Sequence, residues 1–136
     1  METIFSQPAV NIRYDGKSML LRAEWTSESL KISEDFFKNI NRKYIEIAEK
    51  KPVKSFYIDT KDFQYTIRPE IQEWVASEVL PRLIGLGLRK VAFLQSEDFV
   101  AQLSVEQTMS ECDDLPFQVI YFSNEGDALA WLNRGN

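Results

Sequence analysis

Asp59, Thr60, Lys61, Asp62, Thr66 and Arg68 crowd ten residues that lead from a strand-like run into a helix-like one. Carboxylates, hydroxyls and cations at the carboxyl end of a strand are where open α/β sheets bind ligands, and a helix start favours anions. The same side chains also serve a solvated loop, where Asp and Thr satisfy turn backbone. Asp59 and Asp62, with Glu97 and Asp98 after a later strand, could line one sheet edge and hold Mg²⁺. Helix capping accounts equally well for these acids, and their spacing identifies no metal site, so neither metal nor cofactor is expected. No Gly-rich phosphate loop follows any strand. Trp25, Tyr65 and Trp74 form a second candidate group, for a pocket or an interface, although aromatic side chains fill cores as readily.

The residue types that are missing exclude more than those present suggest. The chain has no histidine, which removes Ser-His-Asp and Cys-His catalysis and every His-containing zinc site. Its single cysteine, Cys112, cannot form an intrachain disulfide. The acids at 113 and 114 should raise its thiol pKa and keep it unreactive. The net charge is −5, which disfavours nucleic acid and anionic membrane surfaces as partners. The first ten residues lack the basic start and apolar core of a signal peptide. No run approaches the ~20 apolar residues of a membrane span. A cytoplasmic protein without an integral membrane segment is expected.

The elements that must position these groups follow from periodicity. The length, 136 residues, suits one domain over residues 1–136. Residues 4–14 read as one extended strand, with Val10, Ile12 and Tyr14 alternating with Asn11 and Arg13; Asp15-Gly16 is a hairpin turn signal, and residues 18–25 return as a second strand with Arg22 and Glu24 on its wet face. Residues 26–32 read as loop. Ser33 caps a helix whose stripe is Phe37, Ile40, Tyr44, Ile47 and Ala48, stopped by Pro52. Three strand–helix repeats follow. The strands are 54–59, 89–95 and 117–122. The helices are 69–84, 97–109 and 125–132. In the first of these, Pro81 should kink or tighten the last turn. In the second, Phe99, Leu103 and Met109 should face inward, with Ser96 as cap and a break near Leu103. Asn124 caps the last. Alternation of this kind predicts parallel strands joined by helical crossovers. The expected fold is therefore α/β: a five-stranded mixed sheet, an N-terminal antiparallel hairpin then three parallel strands, with four helices. The parallel strands are apolar at consecutive positions and should be buried on both faces. Helices wound to one side would leave the other face to a ligand, a second subunit or the hairpin.

The order of elements is similar to that of STAS domains, the anti-sigma-factor-antagonist fold. It more closely resembles bacterial STAS-like proteins grouped loosely with the CRAL-TRIO lipid-exchange domains. The features carrying the resemblance are Ala23-Glu-Trp25, Lys54-Ser-Phe-Tyr-Ile-Asp59, Pro69 and Trp74 in a helix ending Leu80-Pro-Arg-Leu-Ile-Gly-Leu-Gly87, then Arg89-Lys-Val-Ala-Phe-Leu94 and residues 117–131. The resemblance covers nearly the whole chain and implies a right-handed βα superhelix. It also implies a regulatory, non-catalytic role through a protein partner. Regulatory STAS domains carry Asp-Ser-Ser/Thr-Gly at the helix start after the third strand. Here that stretch is Thr66-Ile-Arg-Pro-Glu70, so the motif is absent and Thr66 is the nearest hydroxyl. A binding module acting through residues 59–68 is the first expectation, with the protein partner unnamed. A homodimer is one further outcome. A carrier of a small apolar ligand or lipid is another, and a carboxylate-based enzyme ranks last.

Overall fold

A computed structural model describes residues 1–134. Among these, six strands stand side by side in chain order: β1 (Glu2–Gln7), β2 (Val10–Asp15), β3 (Leu20–Trp25), β4 (Ser55–Asp59), β5 (Lys90–Leu94) and β6 (Gln118–Phe122). β1, β2 and β3 are antiparallel; β3 to β6 are parallel. The count corrects the expected five. Residues 4–14 are two strands, because Pro8 and Ala9 make a two-residue turn that pairs Gln7 with Val10. Proline cannot donate to a ladder, so the extended run breaks there.

Each parallel step crosses over through helix. α1 (Glu34–Lys50) joins β3 to β4 behind a short 3-10 turn (Ser27–Lys31) that replaces the expected loop. α2 (Pro69–Trp74), a π turn (Val75–Val79) and α3 (Leu80–Gly85) form one helical path from β4 to β5, and α4 (Phe99–Ser110) joins β5 to β6. Ser33 caps α1 through the Phe36 N–H, and the expected apolar stripe is buried. Pro81 widens the helix and does not tighten it: the Leu80 N–H reaches back five residues to the Val75 carbonyl. A π turn is the means by which a helix absorbs a residue that cannot follow its regular ladder. Gly87, at φ 123°, makes the turn out of α3.

The three crossover bodies pack on one face of the sheet, where Phe37, Ile40, Ile71, Val79 and Val105 meet Ile12, Leu21, Phe56 and Val91. The other face is covered by α5 (Glu125–Leu132), whose Ala128 and Leu132 pack on Leu20, Tyr57, Ala92 and Leu94. The cover for the second face is thus part of the chain, in place of the expected ligand, second subunit or hairpin. Asn124 caps α5 at the Asp127 N–H.

α4 departs most from its expected orientation. Asp98, not Ser96, is its cap, accepting from the Ala101 N–H. No break occurs near Leu103. Ala101, Ser104, Val105, Thr108 and Met109 are buried, whereas Phe99 and Leu103 are 79% and 44% exposed. Apolar residues lie all round this helix, so periodicity could not choose its inner face. Small and hydroxyl-bearing residues chose it instead, by close packing. Substitution separates the two orientations. Val105→Ala should cost about 1–3 kcal/mol in urea unfolding and Leu103→Ala under about 0.5 kcal/mol. The reverse order would show that Leu103 is the core residue.

Candidate functional site

Residues 60–68 run from the end of β4 to the start of α2 with no regular structure, yet they are fastened on every side. Phe63 and Ile67 are buried beneath them. Three serines from outside the loop hold the backbone. Ser29 Oγ accepts the Gln64 N–H at 2.9 Å, Ser104 Oγ accepts the Ile67 N–H at 3.1 Å, and Ser96 Oγ donates to the Phe63 carbonyl at 2.7 Å. The Glu97 N–H donates to the Lys61 carbonyl, and Gln72 Nε2 to the Ile67 carbonyl. The sequence marked Ser96 only as a helix cap and none of the three as a partner of the loop; their bonds to it are purely tertiary.

The six expected loop residues divide in two. Thr60 is buried, and both its N–H and its hydroxyl donate to the Leu94 carbonyl of β5. Asp59 is half-buried, its carboxylate accepting the Lys61 N–H at 3.1 Å. Neither presents itself to a partner. Lys61, Asp62, Thr66 and Arg68 are exposed. Arg68 pairs with Glu34 at 3.1 Å and with Glu70, which ties the loop to the starts of α1 and α2.

The aromatic group divides as well. Trp25 meets Phe63 edge-on at 5.1 Å, and Tyr65 stacks on Phe37 at 5.0 Å. Together they form the floor of the loop. Trp74 lies apart from them on α2, facing α1, under the cations of Lys38 and Arg42. Trp25, Phe37 and Phe63 also wall a cavity of about 60 Å³ between sheet and helices. Its polar margin holds Asn41, Thr60, Thr108 and Tyr44. The Tyr44 hydroxyl is buried with no hydrogen-bond partner, and burial pushes its pKa far above the ordinary phenol value.

On the opposite sheet face lies a group that strand alternation did not single out. Arg22, expected on a wet face, is 6% exposed. Its guanidinium lies 4.8 Å from the Tyr57 ring, between Glu24 at 3.5 Å and Glu125 of α5 at 3.3 Å. Tyr57 is fully buried and its hydroxyl has no partner. Alternation fixes which face a side chain takes, but not whether a later helix covers it.

Asp59 borders this group and feels it. Burial raises its carboxyl pKa, the Lys61 N–H opposes that, and the charges of Glu24, Asp62 and Glu125 raise it further. Among the described residues, no three acids or thiols gather where they could hold a metal ion. Cys112 is buried, and its thiol is pushed up to about 11, first by burial and then by Glu111, Asp113 and Asp114. No helix is long and apolar enough to cross a membrane among the described residues. Comparison with known families, characterised proteins and solved structures finds no match to this chain.

The Asp59 shift fixes a pH dependence. A carboxyl whose folded pKa lies above its unfolded value of about 3.9 binds protons more tightly in the folded state. It therefore lowers stability as pH rises past the unfolded value. Asn keeps the acceptor for the Lys61 N–H and removes the charge. Asp59→Asn should unfold at higher urea concentration than wild type at pH 7, with the two converging as pH falls toward about 4. Equal midpoints at pH 7 would show that the carboxylate is not strained there.

Proposed function

We infer that the chain is a non-catalytic, STAS-like binding module that engages a protein partner through the exposed part of the 59–68 loop and the start of α2. The observation that carries this reading is the fastening of the loop. A connector that only spans two elements does not need two buried anchors and three serine hydroxyls. Fixing the backbone leaves Lys61, Asp62, Thr66 and Arg68 on a rigid platform, which lowers the ordering cost of binding. The strand order and the one-sided crossovers agree with the architecture that the resemblance implies.

The cavity bears on the carrier reading. Its volume, about 60 Å³, is below the ~150 Å³ that admits benzene in a well-studied engineered cavity. An acyl chain would need the helices to part. The interior therefore favours the protein-binding reading over the lipid one.

Thr60 is unsuited to a test, because its hydroxyl is an internal fastener. Lys61, Thr66 and Arg68 are suited, being exposed. A Lys61→Ala, Thr66→Ala, Arg68→Ala triple variant should keep the wild-type urea midpoint to within about 0.5 kcal/mol and weaken capture of a partner by about tenfold or more. Undiminished capture of the same partner would remove the loop from the interface.

A further inference from the structure

β6 pairs only with β5 among the described residues, and like β1 it forms one of the two edges of the sheet. Its ladder uses alternate residues: the Gln118 N–H donates to the Arg89 carbonyl, and the Phe122 carbonyl accepts the Gln95 N–H. In a parallel pair, one residue turns both its backbone groups to the same side. Those of Gln118, Ile120 and Phe122 therefore face β5. Those of Val119 and Tyr121, two donors and two acceptors, face away from the sheet.

The two edges of the sheet are built differently. β1 presents Glu2, Thr3, Ser6 and Gln7 and carries an irregularity between Thr3 and Phe5. Charge and bulges are how proteins protect an edge. β6 has neither. Val119, Ile120, Tyr121 and Phe122 run in succession without charge, proline or bulge. Ile120 is 39% exposed and the other three are half-buried. A groove of about 370 Å³ lies on the α4 side, over Val119 and Tyr121. Another of about 420 Å³ lies on the α5 side, over Ile120 and Phe122, lined also by Trp131, Asp127 and Arg134.

Charge selects the occupant. From residue 91 to residue 133 there are eight acids and no lysine or arginine; in the rest of the chain bases outnumber acids, 16 to 13. Glu106 and Asp113 line the groove on the α4 side. Burial raises the pKa of the Tyr121 phenol, and these two carboxylates raise it further, so their charge reaches the strand. A second copy pairing antiparallel through β6 would bring the same sheet faces together, because the two-fold axis of such a pair stands perpendicular to the sheet. Its Glu106 and Asp113 would then approach their own counterparts, with no cation on that side to separate them.

We propose that the β6 edge receives an extended, basic segment of a partner protein as a seventh strand. The segment bonds through its main chain to Val119 and Tyr121. It places lysine or arginine in the Glu106–Asp113 groove and apolar side chains against Ile120 and Phe122. Main-chain pairing supplies the affinity and alternate side chains the selectivity, while opposite charge steers the encounter.

The test is an NMR titration of the ¹⁵N-labelled full chain with a capped hexapeptide of alternating lysine and valine. The amides of Val119 and Tyr121 should shift on saturation. The glutamate-for-lysine peptide should bind about tenfold more weakly or not at all. Added salt should weaken the lysine peptide, and N-methylation of its pairing edge should abolish the shifts. The Glu106→Gln, Asp113→Asn variant should lose several-fold in affinity with an unchanged urea midpoint. The Lys61, Thr66 and Arg68 triple variant should bind the peptide as wild type does, which separates this edge from the loop. Equal binding of the two peptides, shifts confined to other strands, or no shift at all would overturn the proposal. So would sedimentation showing copies of the chain associating through β6, which would make a second copy the occupant.

Discussion

Right-handed crossovers between parallel strands taken in chain order put every crossover helix on the same side of the sheet. α1, the α2–α3 path and α4 obey that constraint, and most of the remaining structure is a response to it. One face acquires a continuous apolar core. The other, bearing Leu20, Tyr57, Ala92 and Leu94, would meet water if the chain ended at β6. α5 turns back across it, and Ala128, fully buried, lets the helix approach closely. The same turn brings Glu125 over Arg22, which otherwise would be a buried cation with only Glu24 beside it. Removing a charge from water is expensive, and two carboxylates with the face of Tyr57 make the arrangement tolerable. The apolar and the polar halves of the second face are thus closed by one eight-residue helix.

One-sided winding also decides where a working surface can be. The carboxyl ends of β3, β4 and β5 meet the starts of α1, α2 and α4 along a single margin of the sheet, and the 59–68 loop lies across it. Ser29, Ser96 and Ser104 come from the 3-10 turn, the entry to α4 and α4 itself. Each bonds the loop backbone. The loop is therefore the point at which three crossovers are tied to one another. Moving it would open the floor of Trp25, Phe37 and Phe63 above the internal cavity.

The alternation of strands and helices, the apolar stripe of α1, and the Ser33 and Asn124 caps were legible because each rests on local physics: period, capping and turn chemistry. The departures share a different cause. Residues 4–14 read as one extended run in which only Pro8 signals a break, and only pairing shows that the chain folds back there. Phe99 and Leu103 outrank Ser104 and Thr108 on any hydropathy scale. Yet Ser104 faces inward because its hydroxyl donates to the Ala101 carbonyl and accepts the Ile67 N–H. A buried hydroxyl with both bonds made competes well with an apolar side chain, and the partner lies 37 residues away. Thr60 turns inward for the same reason: its acceptor belongs to β5. Of the aromatic trio, Trp25 and Tyr65 converge through Phe37 and Phe63, while Trp74 faces α1 cations. Spacing in sequence could not distinguish them.

The distribution of charge completes the account of the two edges. β1 is guarded by its own side chains and its irregular register, so its polarity is local to the strand. β6 has an apolar strand's composition, suited to burial on both faces, but it occupies the last position in the sheet. What surrounds it must therefore do what its own residues do not. The acids of α4 and of the turn after it lie beside Val119 and Tyr121. Their charge makes two like edges repel while leaving the backbone groups open to a strand of opposite sign. Had α4 turned Phe99 and Leu103 inward, the helix would have rotated and carried Glu106 to a different bearing. The bond from the Ile67 N–H to Ser104 Oγ, which ties the buried face of α4 to the loop, therefore also fixes the electrostatic character of the open edge.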